Sequence, residues 1–296
     1  MWIIISLLAV IFQTTRNMLS KKLKNQLGSE AVNLSRFLPA LPIMIIFYSI
    51  SKNFGNVVIN SKYFFIYIFF LAIAQALASY LSIILYKYKN FAVAVAFTKT
   101  ETLFTAILAA YLLSEKLNPI AWVGIIISMV GLFLASLAKN KKINNSFKKT
   151  FLNKNIFLGL FSGLIFSIGA ISAKGAMNLL TADHVILKAI FSLTIALIIQ
   201  TIILIPISLF KNKQDLVNIF QKPILPIVIG FCSALGTVCW FFAFALIHTA
   251  YVKTVGQIEF ILSIFVSLFI FKEKILKNEY IGMLLILLGC LLLIIF

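Results

Sequence analysis

The sequence has few charged residues: only 11% of its 296 positions are Asp, Glu, Lys or Arg, less than half the share of about 25% usual in soluble domains. Acid is scarcest, with eight carboxylates against 26 cations, and only Glu101 and Glu259 lie near the middle of long apolar runs. Histidine is nearly absent. His184 and His248 stand at the ends of apolar runs without metal-ligand spacing, which argues against a zinc centre or a histidine-based catalytic site. Cys232, Cys239 and Cys290 all lie within apolar runs, so they offer neither a disulfide framework nor a thiolate cluster and read as small buried residues. No glycine-rich phosphate loop and no nucleophile motif is present. These absences argue against an enzyme and predict neither a cofactor nor a metal.

What fills the chain is apolar surface: 62% of residues are hydrophobic and the mean hydropathy is +1.07. The polar residues are clustered, leaving ten apolar runs at 2–20, 31–51, 63–86, 91–113, 118–138, 156–178, 185–210, 223–247, 250–271 and 279–296. Each is close to the ~20 residues that a spanning helix needs. The expected fold class is therefore an all-α integral membrane protein with ten transmembrane helices and no soluble domain. The first run lacks a basic leading segment and a small-residue cleavage site, so it reads as a helix and not as a signal peptide. Pro119 and Pro223 fall at helix starts, where a missing N–H removes no hydrogen bond.

The net charge of +18 comes mostly from short loops. Seventeen lysines lie in loops after the odd-numbered runs, and only Lys52, Lys62 and Lys116 lie on the other side. Such clustering serves membrane topology and anionic headgroups, so the lipid bilayer is the expected partner and nucleic acid is not. The positive-inside rule puts the seventeen-lysine side, including loop 139–155, in the cytoplasm of a cell (inner) membrane. Both termini are then outside.

The chain repeats itself. Shifted by 158 residues, Phe91–Leu134 falls without a gap on Thr249–Leu292, pairing Glu101 with Glu259, Glu115 with Glu273, Lys116 with Lys274, Gly124 with Gly282 and Gly131 with Gly289. Rare residues kept in one register mark an internal duplication. The same shift pairs Ser79 with Thr237, and a shift of 152 pairs Ser20 with Ser172, Lys22 with Lys174 and Arg36 with Lys188. The expected units are a five-helix repeat at 1–138, a basic linker loop at 139–155 and a second five-helix repeat at 156–296. An odd number of spans per unit inverts the second in the membrane, and transporters so built hold substrate near the midplane at the repeat interface.

Glu101 and Glu259 lie at that depth. A carboxylate there is unfavourable by about 2.5–3.5 kcal/mol even on lenient insertion scales, so each needs a partner, a proton or water. They are candidates for a cavity-facing role in substrate binding or proton transfer, or else for structural pairing between helices. Lys99 and Lys253 are the expected cavity cations. Gln257 is the repeat partner of Lys99 and shares a face with Lys253. Lys99 and Glu101, two apart on a continuous helix, should point apart. With Arg16, Arg36, Lys174 and Lys188 added, cations outnumber the two carboxylates and favour an anionic or zwitterionic solute. Arg36, Lys174 and Lys188 lie near run ends and are expected to snorkel to the headgroups. Gln13, Tyr80 and Trp240 complete the candidate pathway, set among small polar residues that equally suit helix packing.

Ten spans, a five-plus-five duplication, and Glu115-Lys116…Gly124…Gly131 with its copy Glu273-Lys274…Gly282…Gly289 resemble the EamA family of the drug/metabolite transporter superfamily. Arg36-Phe37 also looks like a family feature. The family often has glycine before each loop glutamate, where this chain has Ser114 and Lys272. Its usual orientation, with both termini cytoplasmic, conflicts with the lysine distribution here. The resemblance implies a secondary transporter of metabolites with a cavity lined by spans 1, 3, 4, 6, 8 and 9. The leading expectation is alternating-access transport of a small metabolite, such as an amino acid, a nucleotide-like compound or another organic anion or zwitterion, with protons as a candidate coupling ion. The alternative is a flippase for a lipid-linked sugar or other lipid. Either works as a monomer or a homodimer.

Overall fold

A computed structural model describes residues 1–88, 91–138, 154–272 and 277–295. The first half comprises α1 (Trp2–Lys24), α2 (Ser29–Phe37), α3 (Ala40–Ser51), α4 (Tyr63–Tyr88), α5 (Phe91–Thr98), α6 (Glu101–Leu112) and α7 (Pro119–Ala138). The second comprises α8 (Lys154–Asn178), α9 (Val185–Lys211), α10 (Lys213–Gln221), α11 (Ile224–Leu246), α12 (Thr249–Val255), α13 (Ile258–Phe269) and α14 (Lys277–Ile295). Where lipid replaces water the backbone must satisfy its own polar groups, and the helix does so within one segment. Among the described residues, seven stretches are long and apolar enough to cross a membrane, while Glu101–Leu112 and Pro119–Gly131 are apolar but shorter. Phe69, Phe70, Ile202 and Leu284 lie bare on the outer surface, as a lipid-facing exterior requires.

Three apolar runs expected to be continuous are interrupted. The second breaks at Leu38–Pro39, between α2 and α3, since proline cannot donate to the helical ladder, although both residues keep right-handed helical angles. The fourth breaks between α5 and α6, and the ninth between α12 and α13. Elements outside the expected spans are present as well. A short antiparallel ribbon joins β1 (Val57–Ile59) to β2 (Leu180–Ala182), with Val58 opposite Thr181, so the fold is not purely helical. The amphipathic α10 occupies what reads as loop; its Asp215 carboxylate accepts the Gly28 N–H at 2.8 Å, tying two loops on the lysine-rich face.

The two halves interlock. The most extensive packing is α1 on α11, α4 on α8, and α7 on α14. Because α1 corresponds to α8 and α4 to α11 in the repeat, the first two pairs exchange under that relation and the third maps onto itself. The repeated glycines lie in this last pair. A side chain on Gly131 would strike the Gly282 carbonyl, and one on Gly289 would strike the Gly124 carbonyl and Ser128. Glycine therefore lets the closing helices of the two halves meet backbone to backbone.

Ser114 and Lys272, the residues that stand where the family favours glycine, both have φ of 53°. The chain turns left-handed there, which is unfavourable for a residue bearing a Cβ by about 1–2 kcal/mol. That geometry explains the preference for glycine. After the turn, Glu115 Oε2 accepts the Thr249 N–H at 2.9 Å and Oε1 accepts the Thr249 hydroxyl at 3.1 Å. A loop of the first half thus caps α12 of the second, satisfying an orphan donor at its N-terminus. Glu273, its repeat counterpart, lies outside the described residues.

Candidate functional site

Both interruptions of the fourth and ninth runs fall beside the buried glutamates. Between α5 and α6, the Thr98 hydroxyl takes the Val95 carbonyl at 2.8 Å and the Thr102 N–H reaches only three residues back, to Lys99 O. Side-chain competition of this kind is how threonine loosens a helix. Between α12 and α13, Gly256 supplies the weak point, and the N–H groups of Gln257, Glu259 and Phe260 likewise bond three residues back. The result is one tightened turn in each half. It leaves Glu101 and Glu259 in the first turn of α6 and α13, where the helix dipole favours negative charge.

Four charges meet across the halves. Lys253 Nζ lies 3.2 Å from Glu101 Oε2, Lys99 Nζ lies 3.5 Å from Glu101 Oε1, and Lys99 also bridges to Glu259. All four side chains are less than one-tenth exposed. The Lys99–Glu101 contact corrects the expectation that the two point apart, because the tightened turn between them breaks helical spacing. On the other side of Glu259, Gln13 donates to Oε2 and Asn17 donates to Oε1 at 2.7 Å. The Trp240 indole N–H donates to Gln13 Oε1 at 2.8 Å, and its ring lies 5.0 Å from Lys253 Nζ. The contacts therefore close into a loop from Glu259 through Lys99, Glu101, Lys253, Trp240 and Gln13 back to Glu259.

This loop forms part of the wall of a central cavity of about 60 Å³ that is open at one end. Residues from α1, α2, α4, α8, α11 and the α5–α6 and α12 segments line it, among them Gln13, Arg16, Arg36, Gln75, Ser79, Lys99, Glu101, Thr237, Trp240 and Lys253. That is the set of helices expected for spans 1, 3, 4, 6, 8 and 9, with a contribution from span 2. Gly163 lets α8 approach the α5–α6 turn closely, since a side chain there would collide with Thr100 and the Glu101 N–H. Toward the lysine-rich face the aromatic series Tyr86, Phe91 and Phe271 follows, with ring centroids 5.6 Å apart at each step and Lys21 Nζ 4.3 Å from the Phe271 ring.

Of the residues singled out from sequence, Glu101, Lys99, Lys253, Trp240 and Gln13 come together at the cavity wall, and Glu259 lies just behind it. Gln257 does not join them: it is fully buried and neither amide atom has a partner. Tyr80 is a second departure. Its hydroxyl donates to Glu30 at 3.0 Å, and it lines a separate, mostly apolar groove between α2, α4 and α9. A run of small polar residues on one helix cannot report which of its faces turns inward. Arg36 does not snorkel, being 5% exposed and lining the cavity. Lys174 turns inward to the Phe244 and Ile247 carbonyls at the end of α11. Asn17 was missed, although it stands four residues after Gln13 and so on the same helical face.

A polytopic helical bundle in two interlocked halves, with a charged cavity between them, defines a membrane transporter. A profile of the EamA-like transporter family matches residues 1–137 and again residues 153–295. The chain belongs to that family, and through it to the drug/metabolite transporter superfamily. Among solved structures, one described only as "Crystal structure of protein" shares the fold at a TM-score of 0.69 and 11% identity, over 98% of this chain and 95% of the other. No curated protein matches the sequence.

Proposed function

We infer that the protein is a secondary transporter that moves a small organic anion or zwitterion by alternating access of its two halves. The observation that carries this is the buried loop of two glutamates and two lysines, drawn from both halves, at the wall of one cavity. Opposed charges contributed by opposite halves are broken when the halves rock apart, so the loop is a natural latch between cavity states. Glu101 and Glu259 are the groups suited to carry a coupling proton, because protonating Glu101 releases Lys253 and protonating Glu259 leaves Lys99 only its longer contact with Glu101. The fold is read as ten spans, with α2–α3, α5–α6 and α12–α13 each crossing once, in inverted repeats 1–138 and 156–296 joined by the basic loop 139–155.

Counterflow in proteoliposomes tests this, using labelled pools of amino acids, nucleotides, sugar phosphates and organic cations, with wild type and Glu101→Gln. Uptake of an anionic or zwitterionic pool that is lost in folded Glu101→Gln supports the reading. Uptake confined to cationic solutes, or unaffected by the substitution, refutes it. Flipping of a lipid-linked sugar is less favoured, since the apolar groove beside Tyr80 is separate from the charged loop.

The lysine distribution assigns the loop-rich basic face to the cytoplasm and both termini to the outside. Alkaline phosphatase fused after Phe296 should then be active in cells and a fluorescent protein at the same place dark. The reverse pattern would return the chain to the orientation usual in its family.

A further inference from the structure

The lysines of the cavity are neutralised, but its arginines are not. Lys99 and Lys253 share Glu101 and Glu259, leaving that group with no net charge. Arg16 and Arg36 line the same cavity and are 4% and 5% exposed. Among the described residues neither has a carboxylate partner. Arg16 gives Nε and Nη2 to one neutral acceptor, Asn17 Oδ1, at 3.1 and 2.9 Å. The Nε of Arg36 is buried without a partner, and its guanidinium carbon lies 5.0 Å from the Phe37 ring centroid.

A guanidinium cannot relieve this by losing its proton, as a buried lysine can. Two buried positive charges therefore stand at one cavity with no counter-charge of their own. The break after α2, where Arg36 sits in the last turn, gives little relief, because the backbone stays helical through Leu38 and Pro39. The remainder calls for an anion. Ser20, Gln75 and Ser79 line the same cavity and offer hydroxyl and amide donors for oxyanion oxygens.

We propose that Arg16 and Arg36 form the substrate-anion subsite of the cavity and that it takes a solute bearing two negative charges, a phosphate monoester or a dicarboxylate. The assignment rests on the transporter reading and names its substrate class. Asn17 connects this subsite to the charged loop: its carbonyl oxygen accepts from Arg16 while its NH₂ donates to Glu259 at 2.7 Å. An oxyanion that draws Arg16 away from Asn17 changes the hydrogen bonding of Glu259, so occupancy is transmitted to the latch between the halves.

Purified protein is compared as wild type, Arg16→Gln, Arg36→Gln and the control Tyr80→Phe. Apparent unfolding temperature is measured in detergent without ligand and with glycerol phosphate, succinate, acetate or a neutral sugar, followed by counterflow of any binder. We expect Arg36→Gln to unfold at a higher temperature than wild type without ligand, since it removes an unpaired buried charge. Glycerol phosphate or succinate should stabilise wild type and Tyr80→Phe, and each arginine substitution should weaken that binding at least tenfold. The preferred compound of the two identifies the substrate class.

A lower unfolding temperature for ligand-free Arg36→Gln, or dianion binding untouched by both substitutions, overturns the subsite. Stabilisation by acetate equal to that by the dianions overturns the two-charge requirement. Arginine-dependent dianion binding without counterflow leaves the subsite standing and refutes the transporter. Counterflow of a zwitterionic or singly charged anionic solute that ignores both arginine substitutions does the opposite.

Discussion

Lys99 bridges both glutamates, so its removal tests whether the charged loop is an energetic unit. In Lys99→Met the side chain keeps its bulk but the shared cation is gone. Glu101 retains Lys253 at 3.2 Å, while Glu259 keeps only the neutral donors Gln13 and Asn17. A buried ion stripped of its partner destabilises by about 3–5 kcal/mol. At roughly 2–4 °C per kcal/mol for chains of 150–250 residues, that is a fall of about 6–20 °C in apparent unfolding temperature. Replacing both members of a buried pair is often close to neutral. The double variant Lys99→Met/Glu259→Gln should therefore recover most of the loss, with a coupling of about 2 kcal/mol or more, near the upper end seen for contacting residues. Thermal unfolding in detergent, followed by tryptophan fluorescence and size-exclusion profile, gives all four corners of the cycle. A double variant no more stable than Lys99→Met would refute the reasoning, as would a single variant as stable as wild type.

Other consequences follow from particular contacts. Glu115→Ala removes the cap on α12 and should lower stability by about 0.5–2 kcal/mol with substrate affinity unchanged; a selective loss of affinity, read by ligand-induced thermal shift, would move Glu115 into the binding machinery. Gly131→Val forces a branched side chain against the Gly282 carbonyl and should cost at least about 1–3 kcal/mol, detected as loss of the folded peak on size exclusion. Ser114→Gly relieves a left-handed backbone and should raise the unfolding temperature, or at worst leave it level; a clear decrease would show that the Ser114 side chain contributes something its φ does not reveal. Trp240→Phe keeps a ring beside Lys253 but loses the N–H to Gln13, so counterflow should slow more than it does in Tyr80→Phe, whose hydroxyl faces Glu30 outside the cavity.

Much of the architecture was legible in the sequence because it depends on rare residues in an apolar background. Apolar runs of about twenty residues can only be buried or face lipid, and glutamates and glycines kept in one register by a 158-residue shift revealed the two halves. Glu101 and Glu259 fall near the middle of such runs, and burying two carboxylates there already demanded partners. The choice of partners was a tertiary matter. Helical periodicity sends Lys99 and Glu101 apart, and only the tightened turn between them lets one lysine hold both glutamates. The facing of α2 turns Arg36 into the cavity instead of toward the headgroups, and that of α4 sends Tyr80 to the outer groove while Ser79 lines the cavity. Composition and spacing determine that a segment is buried and how deep its charges lie. Which face turns inward, and which charges meet, depends on how seven-residue to 27-residue helices from the two halves pack together, since the pairing energy exists only once those surfaces are in contact.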